Sequence, residues 1–389
     1  MIHRISLPLQ LLCIIGIVII FGSYIPFLML QFFYTISLIF KECLSFILPF
    51  MVFSFICSGI LSFKKSAHIV MAILLLCIIF SNSITAFFSY FVSSSLLCTL
   101  TQGTTIQQFT DFSSITPLWT ITLPKILSSE KAMLGAIVVG FFLSYFTLPT
   151  ADEIIFKLKK IVALIMNRLF IPILPLYIFG FLLDIHQKGI FLQLFQSYGK
   201  TFALIFVLHM IMIFTLFFIA SGLHVQKALD YIKNAIPSYL TAFGTMSSTA
   251  TIPVTIKCAQ KNIPSNDPLI QIATPITANV HLLGDAISTP LLAIVTLYLF
   301  TNVVPSISTF ALFILYFCLS MLAVSGVPGG GILVMIPLLK SILGFSDPMI
   351  SIITTLYVLQ DAIGTAANVM GDGALMIIVD KILKKLKVN

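Results

Sequence analysis

Apolar residues run along this chain in long blocks, near 7–31, 34–62, 67–99, 132–149, 155–183 and 195–222. Each block is about as long as a helix must be to cross a hydrocarbon core roughly 30 Å thick, so each predicts a membrane-spanning helix. The second half is less regular. Residues 241–256 (TAFGTMSSTATIPVTI) and 323–338 (AVSGVPGGGILVMIPL) are interrupted by small residues, and each has an Ile-Pro pair towards its end, at Pro253 and Pro337. Tyr357 to Asp380 reads as one more span, yet it carries Asp361, Thr365, Asn368 and Asp372 at spacings of i, i+4, i+7 and i+11. At about 100° per residue these side chains fall within a sector of roughly 60°. A carboxylate near the bilayer centre costs on the order of 3 kcal/mol even on a lenient insertion scale. The stripe therefore predicts a partner that offsets this cost: a cation, an amine, or both.

Basic residues orient the spans. Lys64 and Lys65, then Lys157, Lys159 and Lys160, then Lys227 and Lys233, and finally Lys381, Lys384, Lys385 and Lys387 fall in every second loop. This places both termini in the cytoplasm. The same rule makes 236–256 turn back rather than cross, because crossing would carry Lys257 and Lys261 to the outside. Backbone that turns at such depth is tolerated only where it is buried in protein or lines a watery cavity. The tips at Ser247-Ser248-Thr249 and Gly329-Gly330-Gly331 are thus expected to face a site. A pair of interrupted apolar segments is the sequence sign of an inverted-repeat transporter with its site at the repeat interface. The Thr-, Ser- and Gln-rich region 100–131 is expected to be an external loop.

Composition narrows the class. With 59% hydrophobic residues, 9% charged residues and a mean hydropathy of +1.12, a soluble protein is excluded. The formal charge of +8 is scattered through short loops, which suits topology and not nucleic acid. Met1 to Ile20 has a basic residue before its apolar run, but no small-residue cleavage site follows, so a retained first span is expected. The seven cysteines lack metal or disulfide spacing and read as small core residues. Ser247 or Ser248 with His281 would be the nucleophile and base of a membrane enzyme, but no orienting third group accompanies them. Neither an enzyme nor a cofactor is predicted.

These segments together resemble the dicarboxylate/amino acid:cation symporter family, the glutamate-transporter-like proteins. SSTATIPVT (247–255) resembles that family's first re-entrant hairpin, SGVPGGG (325–331) its second, and FILPFMVFSFICSGI (46–60) its second span. DAIGTAANVMGD (361–372) resembles its last helix, whose pattern is D-x-x-R-T-x-x-N-x-x-x-D. The resemblance implies an all-α polytopic membrane protein with eight transmembrane helices, two re-entrant hairpins and inverted repeats. One integral membrane domain is implied, with scaffold helices at about 7–62 and 132–183 and moving transport elements at about 67–99 and 195–385, the hairpins lying at about 236–258 and 309–344. It further implies a lipid-embedded homotrimer of the bacterial inner membrane. Carried over residue by residue, Asp361 holds the α-amino group of an amino acid and Asn368 its α-carboxylate. Gly364, Thr365, Ser247, Ser248, Val327 and Gly329 line the pocket, and Asn368 and Asp372 ligate a coupling cation, sodium and/or a proton.

Departures from the pattern refine these implications. Gly364 stands where acidic-substrate members carry Arg, and an acidic side chain would be left without a cation in a dry site. A small neutral amino acid is therefore expected, and the order of the motif resembles the serine/threonine branch. In the seventh helix His281-Leu282-Leu283-Gly284-Asp285 replaces the common N-M-D-G-T. Leu283 removes a carboxylate that serves an additional sodium site in the family. His281 stands at an ion ligand's place, and it lies one turn from Asp285 if that stretch stays helical. Ser81, Asn82 and Ser83 offer oxygens opposite. The competing functions are an acidic amino acid or dicarboxylate symporter and a passive ion channel.

Overall fold

The computed structural model describes residues 7–62, 68–101, 115–124, 127, 129–146, 148–187, 191–321 and 330–386. Among these, the regular elements are helical and no strand occurs. Five helical stretches are long and apolar enough to cross a membrane, or six if a bent pair counts as one.

The first apolar block divides earlier than its hydropathy indicates. Helix α1 (Leu7–Phe21) stops at a short turn over Gly22–Tyr24, and α2 (Phe27–Ser62) starts directly after Pro26. Proline suits a helix start and disfavours helical backbone in the residue before it, so the 7–31 block splits there and the second span is 36 residues long. Helix α3 (His68–Thr101) matches its expected block, as α4 (Ser129–Tyr145) does in part. The block at 155–183 is not one straight span. Helix α5 (Pro149–Ile165) passes through a widened turn at Met166–Phe170 into α6 (Ile171–Gln187), with a bend of 52°. Pro172 and Pro175 remove backbone donors at that point, which is a sufficient cause for the kink. Of the expected external loop, 102–114 lies outside the described residues. The described part packs back on α2, where Leu118 N donates to Thr35 Oγ1 at 2.9 Å.

Helix α7 (Phe191–Ser221) leads into a helical hairpin made of α8 (Val225–Thr245) and α9 (Ser248–Asn262). Both arms are longer than the 236–258 expected. Met246, with φ at +50°, makes the reversal, and Ser247 caps α9 by accepting from Ala250 N at 3.2 Å. At the base, Asn234 Nδ2 donates to Asn262 Oδ1 at 2.8 Å and ties the arms together. Helices α10 (Asp267–Val280) and α11 (Leu283–Thr301) follow, with α12 (Ile307–Met321) and α13 (Gly330–Ser341) packed against each other. The tip expected of this second hairpin, including Val327 and Gly329, lies outside the described residues.

Helix α14 (Asp347–Lys385) is the axis of the second half. It packs against α7, α8, α9, α10, α11 and α13. Along one side Ala242 of α8 meets Ala366 and Val369, small residues that let the hairpin approach closely. Its start is tied to α2 and α13 by Lys41 and Lys340, whose ammonium groups lie 2.8 and 2.7 Å from the Asp347 carboxylate. Helix α11 is buried along nearly its whole length.

Candidate functional site

The polar stripe stays within one unbroken helix and is buried in protein. Asp361, Thr365, Asn368 and Asp372 are all at most 6% exposed. Thr365 Oγ1 donates to Asp361 Oδ1 at 3.2 Å, a contact one helical turn long. The other members of the stripe reach across to neighbouring helices.

The decisive local feature is a break between α10 and α11. The backbone at His281 and Leu282 leaves helical geometry, so α10 ends and α11 begins inside the protein. A buried break exposes carbonyls and amides that need partners. Asn82 of α3 donates Nδ2 to the Val280 carbonyl at 3.0 Å. Asn368 of α14 accepts from Gly284 N at 2.7 Å. His209 of α7 donates Nε2 to the Gly284 carbonyl at 3.0 Å, and Ser288 donates to the same oxygen at 2.8 Å. Side chains of α3 and α14 thus satisfy groups freed by the break, while His209 of α7 adds a bond to the first turn of α11.

This geometry separates His281 from Asp285. The break ends the helical register that would have put them one turn apart. His281 instead sets Nδ1 at 3.1 Å from Asp372 Oδ1 and Nε2 at 2.9 Å from Ser81 Oγ. Asp285 takes the Tyr357 hydroxyl at 2.5 Å on one oxygen and Asn368 Nδ2 at 3.3 Å on the other. Asp372 Oδ2 is buried and has no hydrogen-bond partner among the described residues. Leu283 and His281 both press on Gly371, where an added Cβ would lie 3.0 Å from each side chain. An alkyl group and an imidazole therefore fill the space beside Asp372.

Of the remaining expected residues, Asn82 stands beside the break with Oδ1 unpartnered among the described residues, whereas Ser83 faces away, its Oγ 3.3 Å from Cys318 Sγ on α12. Ser83 is thus not brought to His281 or Asp372. Its neighbours Ser81 and Asn82 take that side, because at about 100° per residue two consecutive residues of a helix can share a broad face while the third turns away from it. Ser248 is buried just past the tip of the α8–α9 hairpin, and Ser247 forms its cap. Gly364 lies where α11 and α14 cross most closely, since a Cβ on Gly284 would sit 2.3 Å from the Gly364 carbonyl oxygen. His209 and Tyr357 went unread in the sequence. A lone histidine inside the apolar block 195–222 is an intramembrane ionisable residue, which is signal enough to single it out. For Tyr357 the only signal is its place one turn before Asp361.

Comparison with known proteins agrees with this architecture. A family model described as the Sodium:dicarboxylate symporter family matches residues 7–382. A serine/threonine transporter of Acinetobacter baylyi is 27% identical over 414 aligned positions, covering 98% of this chain and 99% of that protein. An excitatory amino acid transporter of Caenorhabditis elegans is 25% identical over 195 residues, 50% of this chain and 38% of the relative. Excitatory amino acid transporter 1 of Rattus norvegicus is 24% identical over 222 residues, 57% of this chain and 40% of the relative. The chain belongs to the sodium:dicarboxylate symporter family, a family of multi-pass membrane secondary transporters and not of enzymes.

Proposed function

We propose that this member of the sodium:dicarboxylate symporter family imports a small neutral amino acid, serine-, threonine- or alanine-like, coupled to sodium and/or a proton by alternating access. The observation that carries the reading is the buried Asp361 with glycine, not a cation, three residues on. A buried carboxylate suits an ammonium group, and the position at 364 offers nothing to pair an acidic side chain. Thr365 and the tip residues Ser247, Ser248, Val327 and Gly329 complete the pocket in this reading. The amide of Asn368 is engaged by Gly284 and Asp285. Its service to a substrate carboxylate would thus run through rearrangement of those bonds.

The cation site of the proposal is Asp372 with Asn368. The buried Asp372 Oδ2, unpartnered among the described residues, supports it, because such an atom calls for a donor or a cation. Leu283 supplies no oxygen, and a hard cation such as sodium takes oxygen ligands. Fewer coupled sodium ions are therefore expected than in acidic-substrate members, with His281 able to add a proton dependence. The protein is placed in a bacterial inner membrane with both termini cytoplasmic, as a homotrimer of eight spans and two hairpins per chain. In each chain the scaffold of 7–62 and 132–183 holds the moving elements 67–99 and 195–385.

Purified protein in liposomes, given an amino-acid panel under separately imposed sodium and proton gradients, tests the reading. Accumulation of serine, threonine or alanine against a gradient is expected, with reversal potentials counting the coupled charges. Passive flux without accumulation would establish a channel. A wild-type preference for glutamate or aspartate would overturn the argument from Gly364.

A further inference from the structure

Gln360 precedes Asp361 on α14 and is 3% exposed. Its Nε2 donates to Ser288 Oγ on α11 at 3.0 Å, while Ser288 gives its own hydrogen to the Gly284 carbonyl at 2.8 Å. A hydroxyl has a single hydrogen to donate. With that hydrogen spent on Gly284, the Gln360 atom facing Ser288 has to be a donor, and the orientation of the amide is fixed. Oε1 is turned the other way. It is buried and has no hydrogen-bond partner among the described residues.

The surroundings of Oε1 point to a ligand. It lies 3.2 Å from the place where a Cβ on Gly364 would be, so the amide occupies the position that an Arg or any larger residue at 364 would need, one residue from Asp361. The backbone N–H groups of this part of α14 are used within the helix and cannot turn to it. Buried acceptors without donors are few in native proteins and call for an explanation. Asp361, the next residue, is the proposed anchor of the substrate's ammonium group. A small amino acid held there carries its own side chain close by, and a side-chain O–H is the donor that Oε1 lacks.

We propose that Gln360 Oε1 accepts the side-chain hydroxyl of the transported amino acid, making Gln360 the residue that selects serine- or threonine-like substrates over alanine. This rests on the neutral amino-acid reading above and narrows it. Ser288 and Gly284 are positioning groups in this arrangement, because they fix the nitrogen of the amide and leave its oxygen to accept.

The test compares L-serine, L-alanine and O-methyl-L-serine as competitors of uptake in liposomes. O-methylserine keeps the ether oxygen but has no hydrogen to donate. Wild-type protein is expected to favour serine over both others by about tenfold, the scale of a hydrogen bond made in a buried site. Gln360→Met is expected to bring the three within about twofold by weakening serine alone. Persistence of the serine preference in Gln360→Met, or a parallel shift of all three ligands, overturns the inference while leaving neutral amino-acid transport standing. Should the variant fail to reach the membrane, binding of the three ligands to purified wild-type protein decides, with equal affinities overturning the assignment. Acidic substrates preferred by the wild type would instead remove the reading beneath it.

Discussion

Helices α2 and α14 are both long and apolar, and although each has polar residues of both kinds, as Ser37 bonded to the Tyr177 carbonyl and Thr354 to that of Ile350 show, two groups of side chains on them behave in opposite ways. In α2, Thr35 and Ser54 return their hydroxyls to carbonyls of their own helix, at Gln31 and Met51. In α14, Gln360, Asn368 and Asp372 reach α11 and the end of α10. The exposed faces differ to match. Helices such as α3 and α7 turn Phe80, Phe91, Phe206 and Ile211 outward, where lipid would solvate them, while α11 is enclosed by protein. A polar group that satisfies itself locally asks nothing of its neighbours. One that reaches across fixes the relative position of two helices, and a ligand or ion can alter such a bond.

The largest effect is expected where the inner region meets substrate. Asp361→Asn should reduce uptake to background, on the order of a hundredfold, because an amide cannot replace the charge that pairs with an ammonium group. The protein should still reach the membrane, as Thr365 can donate to an amide oxygen as well. Near-normal uptake by this variant would remove Asp361 from the site. Next comes the crossing of α11 and α14. An added methyl at Gly284 would lie 2.3 Å from the Gly364 carbonyl, backbone that cannot swing aside. Gly284→Ala should cost about 1–3 kcal/mol or more by overpacking, and it should lower both the melting midpoint in detergent and the rate of uptake. An unchanged midpoint would show that the two helices do not cross as described.

Gly364→Arg should act on selectivity. An added Cβ there meets the Gln360 amide at 3.2 Å, a side chain able to yield by a few tenths of an ångström. The guanidinium would supply the cation whose absence argues against acidic substrates, and it would cover Gln360 Oε1. Uptake of neutral amino acids should fall roughly tenfold, with glutamate or aspartate becoming competitive inhibitors. A variant that transports serine as the wild type does would separate Gly364 from the pocket.

The sequence was most legible where one physical rule dominated. Two carboxylates on one face of an apolar helix could only be an inward stripe, and α14 follows that pattern without interruption. The interruption around Met246 and Ser247 was readable from small residues and lysine placement. The break at His281 and Leu282 was not, because neither residue breaks helices. Its causes are distant in sequence: Asn82 and Asn368 satisfy the freed backbone from two other helices, and His209 holds the first turn of α11 from a third. The split near Pro26 and the bend before Pro172 did carry local signals, but continuous hydropathy on either side concealed them. The partners of Asp285 and Asp372 follow from the break, so they could not be assigned before it was known.

The smallest effect tests the outer region itself. Gly16 lies inside α1, and an added Cβ would meet nothing within 4 Å. If that side faces only lipid, Gly16→Ala should gain helix propensity at no steric cost, about 0.5–1 kcal/mol. The melting midpoint should then rise by about 1 or 2 °C, with uptake unchanged. The contrast with Gly284→Ala is the point of the experiment: the same methyl is added to two helices, and the sign of the effect reports what each helix faces. A fall in stability for Gly16→Ala would mean that another body packs on α1. In a symmetric assembly the obvious candidate is a second copy of this chain. The same measurement repeated over a range of detergent concentrations would expose that copy, because a subunit contact weakens on dilution whereas packing within one chain does not.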